Sequence, residues 1–225
     1  MKRLTGFFIF AALVVMLPVL FPDNYFVTVV GVTIGLHIIL AVSLNLFMGF
    51  AGQISLGHAA FFGMGAYTSA ILTTRYGINP WIAVVVALIV VAIIANAIAR
   101  PILKLKGHYL AMATLGFGII INIVMVQEVK FTGGPDGMSG VPGLSLFGWA
   151  IDSDLKWYVV VAVVMLGAIL ASLNIVDSRA GRAFKAVHGS EVAAENMGAD
   201  RARTKRPVCV TSAPLGCLPG SRYAD

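Results

Sequence analysis

Polar side chains and glycines that could contact a neutral solute are concentrated in one stretch, GFAGQISLGHAAFFGMGAY, from Gly49 to Tyr67. The stretch lies inside an uncharged run from Asn24 to Thr74, so its amide, hydroxyl and imidazole groups can form hydrogen bonds without any carboxylate or ammonium nearby. The candidates for lining a polar path are Gly52, Gln53, Ser55, Gly57 and His58. The alternative interpretation is close helix packing, because small residues let membrane helices approach each other.

The rest of the sequence contains few residues that could serve in acid–base catalysis, metal binding or nucleotide binding. The apolar segments contain no Asp, Glu, Lys or Arg, and His37 and His58 are the candidates for a proton relay. Ionisable residues within the membrane mark ion-driven transporters, and we interpret both histidines instead as neutral hydrogen-bonding partners between helices. No stretch matches G-x-x-x-x-G-K-[ST], and GGPDGMSG lacks the lysine that contacts phosphates. The sequence therefore predicts no catalytic residue, no metal site and no cofactor bound by this chain.

Composition places these residues in a membrane. The chain is 59% hydrophobic and 12% charged, against about 45–50% and about 25% in soluble domains. Between charged clusters lie gaps of the length of one bilayer crossing, which needs about 20 apolar residues. The gaps are Leu4–Pro22, Tyr76–Ala99, Gly107–Gln127 and Trp157–Val176, and the run Asn24–Thr74 divides in two if it breaks near Gly49–Gly57. The sequence predicts an all-α integral membrane protein, a polytopic bundle of about six transmembrane helices.

Basic residues indicate the orientation, because cytoplasmic flanks carry the excess of lysine and arginine. With a cytoplasmic N-terminus, six crossings place the basic clusters at residues 2–3, 100–106, 179–185 and 201–206 inside and leave Arg75, Lys130 and Lys156 outside. These charges flank helix ends instead of alternating with aromatic residues, so no nucleic-acid partner is predicted. A cleaved signal peptide at the N-terminus is the rival interpretation, which the lack of a small-x-small cleavage site disfavours.

The segment after the last crossing has the pattern of two short amphipathic helices on the cytoplasmic side. Ser178 can cap the first, whose apolar face includes Phe184, and Ser190 can cap the second, which ends near Gly198. One interpretation is an interfacial segment lying on lipid. The other is a contact with a separate protein.

Four segments resemble the permeases of branched-chain amino-acid ABC transporters, the Liv-type inner-membrane translocators, and their order is most similar to the LivM type. The segments are NLFMGFAGQISLGHAAFFGMGAYTSAIL, HYLAMATLGFGIIINIV, FTGGPDGMSGVPG and SRAGRAFKAVHGSEVAAENMGADRARTK. The resemblance implies an ABC importer permease fold. It also implies that residues 177–205 are coupling helices that dock into an ATPase subunit, with Phe184, Glu191, Glu195 and Gly198 as the candidates.

The resemblance further implies a subunit that is not itself an enzyme. Its partners would be a second permease subunit, two ATP-binding subunits that use the ATP, an extracytoplasmic solute-binding protein and the lipid bilayer. The expected location is the bacterial cytoplasmic (inner) membrane, as a multi-pass protein. The expected function is uptake of branched-chain or related apolar amino acids; the alternative is a secondary transporter or channel for small neutral solutes such as urea or amides.

The resemblance divides the chain into three parts. Residues 1–176 form the expected transmembrane permease domain, and residues 177–205 the coupling helices. The third part, residues 206–225, reads RPVCVTSAPLGCLPGSRYAD where the family continues into further apolar helices. Prolines within it oppose a helix, since an interior proline costs about 3 kcal/mol. We interpret this tail as aberrant or truncated.

Overall fold

The fold is a bundle of long helices in a computed structural model, which describes residues 2–20, 25–50, 52, 55–102, 105, 107–134, 137–138, 145–146, 149–150, 154–178 and 181–182. The helices are α1 (Lys2–Leu20), α2 (Tyr25–Asn45), α3 (His58–Thr74), α4 (Pro80–Ile102), α5 (His108–Gln127), α6 (Val129–Thr132) and α7 (Asp154–Asp177). Six of them have 17 to 24 residues and correspond to the six predicted crossings. The predicted all-α polytopic bundle is confirmed.

Most of the long helices have the dimensions of a bilayer crossing. Among the described residues, four helical segments are long and apolar enough to span a membrane, namely Val29–Phe50, Pro80–Ala99, His108–Gln127 and Leu155–Asp177. In α1 the apolar stretch is Thr5–Pro18. α3 has 17 residues, the short limit for a crossing, because non-helical backbone precedes it. The chain is therefore a multi-pass membrane protein.

The core of one half of the bundle lies between α1, α2 and α7. Its buried residues are Val14, Val32, Leu36, Ile39, Tyr158, Val161, Met165 and Ala168. Two glycines of α2 bring the helices together, since Gly31 faces the ring of Tyr158 and Gly35 faces Val161. The Tyr158 hydroxyl donates a hydrogen bond of 2.9 Å to the Val14 carbonyl. Small residues at a helix contact and one interhelical hydrogen bond are the usual means of packing helices in lipid.

The other half is formed by α3 and α4. A buried residue recurs every fourth position along α4, and four of these five residues are alanine: Ala83, Ala87, Val91, Ala95 and Ala99. This small-residue stripe lets α3 lie close to α4, with Phe61 and Met64 of α3 in the same cluster. The two halves meet at Leu46 and Phe47, which follow α2 and belong to the α3–α4 cluster.

The sequence did not predict a short antiparallel pairing between α6 and α7. Strand β1 (Ser145–Leu146) pairs with β2 (Trp149–Ala150), with Ser145 opposite Ala150. The preceding turn begins at Gly133, whose φ of 80° favours glycine. The pairing lies in the loop that the charge pattern assigns to the outer side.

Candidate functional site

The helix break predicted between Gly49 and Gly57 is present. A π-helical turn, Leu46–Phe50, continues α2, and Gly52 has a φ of 63°, which favours glycine. Ser55 to Gly57 are not helical, and α3 begins at His58. Single π turns in α-helices are frequent at functional sites. Irregular backbone at membrane depth occurs where protein buries it or where it lines a water-filled cavity.

A buried hydrogen bond joins the two helices that flank the break. His58 Nε2 lies 2.8 Å from the Ser43 hydroxyl, and both side chains are buried. The Ser43 hydroxyl also donates to the Leu40 carbonyl at 2.8 Å. Since a hydroxyl has one proton, His58 Nε2 must be the donor in the shared bond. The interhelical bond predicted for His58 is confirmed, and sequence reasoning missed its partner Ser43.

His37 does not make the predicted interhelical bond within the described residues. Its Nδ1 lies 2.8 Å from the carbonyl of Thr33, one turn earlier in the same helix, and the side chain is exposed. The glycines that contact α7 lie on the opposite face of α2. His37 therefore points away from α7, and its bond stays within α2.

A threonine of α5 holds the break in place. Thr114 Oγ1 accepts a hydrogen bond of 3.1 Å from the Leu56 backbone N–H and donates one of 2.9 Å to the Ala111 carbonyl. The backbone of Gly57 packs directly on the same turn of α5, where a Cβ would collide with the Thr114 carbonyl oxygen. Gly118 lies opposite, with its Cβ position 3.2 Å from the Gly57 Cα. Thr114 and Gly118 were not singled out from the sequence, although both lie in the motif from His108.

A small cavity lies beside the break. Its polar lining comes from Ser55, His58 and Thr114, and its apolar lining includes Phe47 and Phe61. The volume is about 30 Å³, room for one or two water molecules but not for an amino acid. The structure thus brings together three of the five path candidates, Ser55, Gly57 and His58. Gly52 is half-buried nearby in the chain, and Gln53 lies outside the described residues.

The coupling candidates Phe184, Glu191, Glu195 and Gly198 also lie outside the described residues. The start of their segment is described, and there the Gly181 N–H donates to Ser178 Oγ at 3.2 Å. The Arg182 N–H donates to the Ser178 carbonyl at 3.2 Å. Both bonds belong to a helix N-terminus with Ser178 as its cap, as predicted. Within the described ranges, no group of three or more His, Cys, Asp or Glu side chains could hold a metal ion.

Comparison with known proteins gives the family. The family model described as "Branched-chain amino acid transport system / permease component" matches residues 25–224. The high-affinity branched-chain amino acid transport system permease protein LivM of Escherichia coli is 30% identical over 84% of this chain and 50% of its own length, and LivM of Salmonella typhimurium is 29% identical with the same coverage. The chain spans about half the length of these curated relatives. No solved structure matches it. The chain belongs to the family of branched-chain amino-acid transport system permease components.

Proposed function

We propose that the chain is one permease subunit of an ATP-driven importer for branched-chain or related apolar amino acids. The observation that carries this proposal is the match to LivM along 84% of the chain. The proposed partners are a second permease subunit, two ATP-binding subunits and an extracytoplasmic solute-binding protein. The sequence contains no phosphate-binding loop of its own, so ATP hydrolysis is assigned to the separate subunits.

Within this subunit, the break from Gly52 to His58 borders the translocation path. The Ser43–His58 bond and the Leu56–Thr114 bond support the proposal, because together they fix an irregular backbone segment that lipid could not satisfy. The cavity beside it is too small for the solute. The residues of the break therefore shape one wall of the path, and the solute passes beside them.

Residues 177–205 form the contact with an ATP-binding subunit. Support comes from the Ser178 cap and from the amphipathic pattern that follows it. Truncating a buried Phe costs about 3–5 kcal/mol in a core, so Phe184→Ala should reduce copurification of the ATP-binding subunit, and Glu191→Arg should do the same by reversing a charge. Arg182→Gln is the comparison variant. The Arg182 guanidinium bonds to the Asp177 carbonyl at the helix start, and its charge would attract a lipid-bound segment to anionic lipid, so that interpretation predicts an effect of Arg182→Gln on membrane association and none of Phe184→Ala on assembly. Unchanged assembly with Phe184→Ala and Glu191→Arg would contradict the contact.

The proposed location is the inner membrane with the N-terminus in the cytoplasm. The charge pattern supports this orientation, and cysteines at two loops test it. In intact cells, an impermeant thiol reagent should label Ser145→Cys and spare Lys104→Cys. The reverse pattern would overturn the orientation.

Reconstitution tests the function as a whole. The full chain is placed in liposomes with the second permease and ATP-binding subunits encoded beside its gene, and the binding protein is added outside. We expect uptake of labelled leucine, isoleucine or valine that requires ATP and the binding protein. Uptake of urea or amides that continues without ATP would instead establish a channel or secondary transporter.

A further inference from the structure

One face of α2 is polar, although nothing in the described part of the chain covers it. Thr33, His37, Ala41 and Asn45 follow each other at intervals of four residues, and all four are exposed. Residues four apart share a helix face, so these side chains form one stripe along the helix. The opposite face carries the buried residues that pack on α7.

Two groups in this stripe lack hydrogen-bond partners within the described residues. The Thr33 hydroxyl is satisfied by the Val29 carbonyl at 3.2 Å. His37 Nδ1 donates to the Thr33 carbonyl at 2.8 Å, which in the neutral ring leaves Nε2 as an outward-facing acceptor. The Asn45 amide has no bond among the described residues; its Oδ1 packs against Gly49 of the π turn.

Lipid is a poor environment for this stripe. Hydrocarbon cannot bond to an imidazole nitrogen or an amide, and each unsatisfied group costs several kcal/mol. The exposed stripe of α4 has the composition expected of a lipid-facing surface. At the same four-residue spacing it is wholly apolar: Val85, Ile89, Ile93 and Ala97.

A second helix is also a poor match for the stripe. Close helix contacts in membranes use small residues together with polar side chains that bond across the helices, and the small pair of α2, Gly31 and Gly35, is already occupied by α7. The exposed face carries the bulky side chains of Ile34 and His37 beside a single alanine, Ala41. Water can bond to both polar groups without requiring a small residue on this face, so we take water as the medium.

The stripe leads to the helix break. Asn45 is the last residue of α2, and Gly49 on the following π turn is exposed. A polar helix face that ends at a non-helical segment is the arrangement expected beside an aqueous cavity, where irregular backbone is tolerated. The small cavity beside the break, about 30 Å³, has no residue of this stripe in its lining and is distinct from this surface.

We propose that the face of α2 formed by Thr33, His37, Ala41 and Asn45 lines the water-filled path of the transported solute. His37 Nε2 accepts hydrogen bonds from the N–H groups of water-borne solutes, and the Asn45 amide both donates and accepts. These groups suit a small neutral or zwitterionic amino compound. The proposal rests on the proposed transport function and extends the wall of the path from the break along the exposed side of α2.

Cysteine reactivity tests the face directly, because the reactive thiolate forms in water and not in lipid. Cys209→Ser and Cys217→Ser give a cysteine-free parent, into which Ala41→Cys and Ile89→Cys are introduced separately. Ile89 is the matched control, since it is 54% exposed in the middle of α4. The complex in liposomes is treated with N-ethylmaleimide, denatured, and the unreacted thiols are counted by the gel shift with a maleimide-polyethylene glycol.

We expect Ala41→Cys to react roughly tenfold faster or more than Ile89→Cys, and leucine to slow only the reaction at Ala41. Equal, slow reaction at both positions overturns the proposal, whether lipid or another helix covers α2. Leucine uptake by the cysteine-free parent distinguishes a failure of this inference from a failure of the proposed transport function. A parent that transports leucine with an unreactive Ala41→Cys refutes this inference alone, whereas a reactive Ala41→Cys in a parent without uptake supports the aqueous face and refutes the transport function.

The second measurement is the KM for leucine uptake by two variants of His37. His37→Gln keeps an acceptor at the end of a side chain of similar length, and His37→Leu removes it. If His37 bonds to the solute, His37→Leu should raise the KM for leucine uptake several-fold while His37→Gln restores most of it, with equal thermal stability of both variants. Equal KM values for the two variants would exclude a role for the acceptor.

Discussion

Gly57→Ala tests whether the helix break depends on direct backbone contact with α5. Gly57 has φ −102° and ψ 14°, a conformation that alanine also adopts. The substitution therefore introduces no strain within its own backbone. Its whole effect comes from the new Cβ, which would collide with the Thr114 carbonyl oxygen and approach the Gly118 amide nitrogen at 3.3 Å.

The free-energy cost of Gly57→Ala depends on which part of the structure must move to make room for the new Cβ. A helix backbone cannot rotate away as a side chain can, so the break has to separate from α5. Overpacking of this kind costs roughly 1–3 kcal/mol, and loss of the Leu56–Thr114 hydrogen bond adds about 0.6 kcal/mol, the mean for interhelical bonds in membranes. A total of roughly 2–4 kcal/mol lowers the Tm by roughly 4–16 °C in a chain of this size.

The measurement is the Tm of the purified protein in detergent, followed by loss of the monodisperse peak on heating. Gly116→Ala is the control, because a Cβ at Gly116 meets nothing within 4 Å and alanine favours the α5 helix by roughly 0.5–1 kcal/mol. Its Tm should stay level or rise. If Gly57→Ala and Gly116→Ala melt at the same temperature, the packing of the break on α5 does not contribute to stability and the reasoning is refuted.

Three further experiments probe single hydrogen bonds. Thr114→Val leaves the Leu56 N–H without its acceptor and should cost about 0.6 kcal/mol, the value used above for this bond, whereas Thr74→Val, whose hydroxyl bonds within its own helix, should cost less; equal Tm values would contradict this. Ser43→Ala and His58→Phe, alone and combined, should show a coupling energy of about 0.6 kcal/mol in a thermal double-mutant cycle, and strict additivity would mean that the bond contributes nothing. Ser178→Ala removes a helix cap worth about 0.5–2 kcal/mol, so proteolysis after the last crossing should accelerate, and an unchanged rate would mean that the cap does not hold this helix.

The sequence was sufficient to predict the crossings and the break for a physical reason. In lipid, every backbone polar group must be bonded within its own segment, so a long uncharged apolar run leaves the helix as the plausible structure. The run from Asn24 to Thr74 is too long for one crossing, and its glycines mark where it divides. The structure places the break within the predicted range, between Phe50 and His58.

The partners of the break could not be predicted in the same way. Leu56 and Thr114 are 58 positions apart, and their bond depends on how α5 lies against the start of α3. A threonine in a membrane helix commonly bonds to its own preceding turn, as Thr73 does with the Ser69 carbonyl. Nothing in the residue type distinguishes Thr114, which bonds across helices as well, from Thr73.

His37 shows what a closer sequence argument could have found. In α2 most residues on both faces are apolar, so hydrophobic periodicity does not reveal which side is buried. The glycines of α2 reveal its buried side, because small residues mark the side on which membrane helices approach. His37 follows Gly35 by two positions, which is about 200° around an α-helix at 3.6 residues per turn. The glycines that pack on α7 therefore turn His37 away from that contact, toward the face that we propose lines the water-filled path.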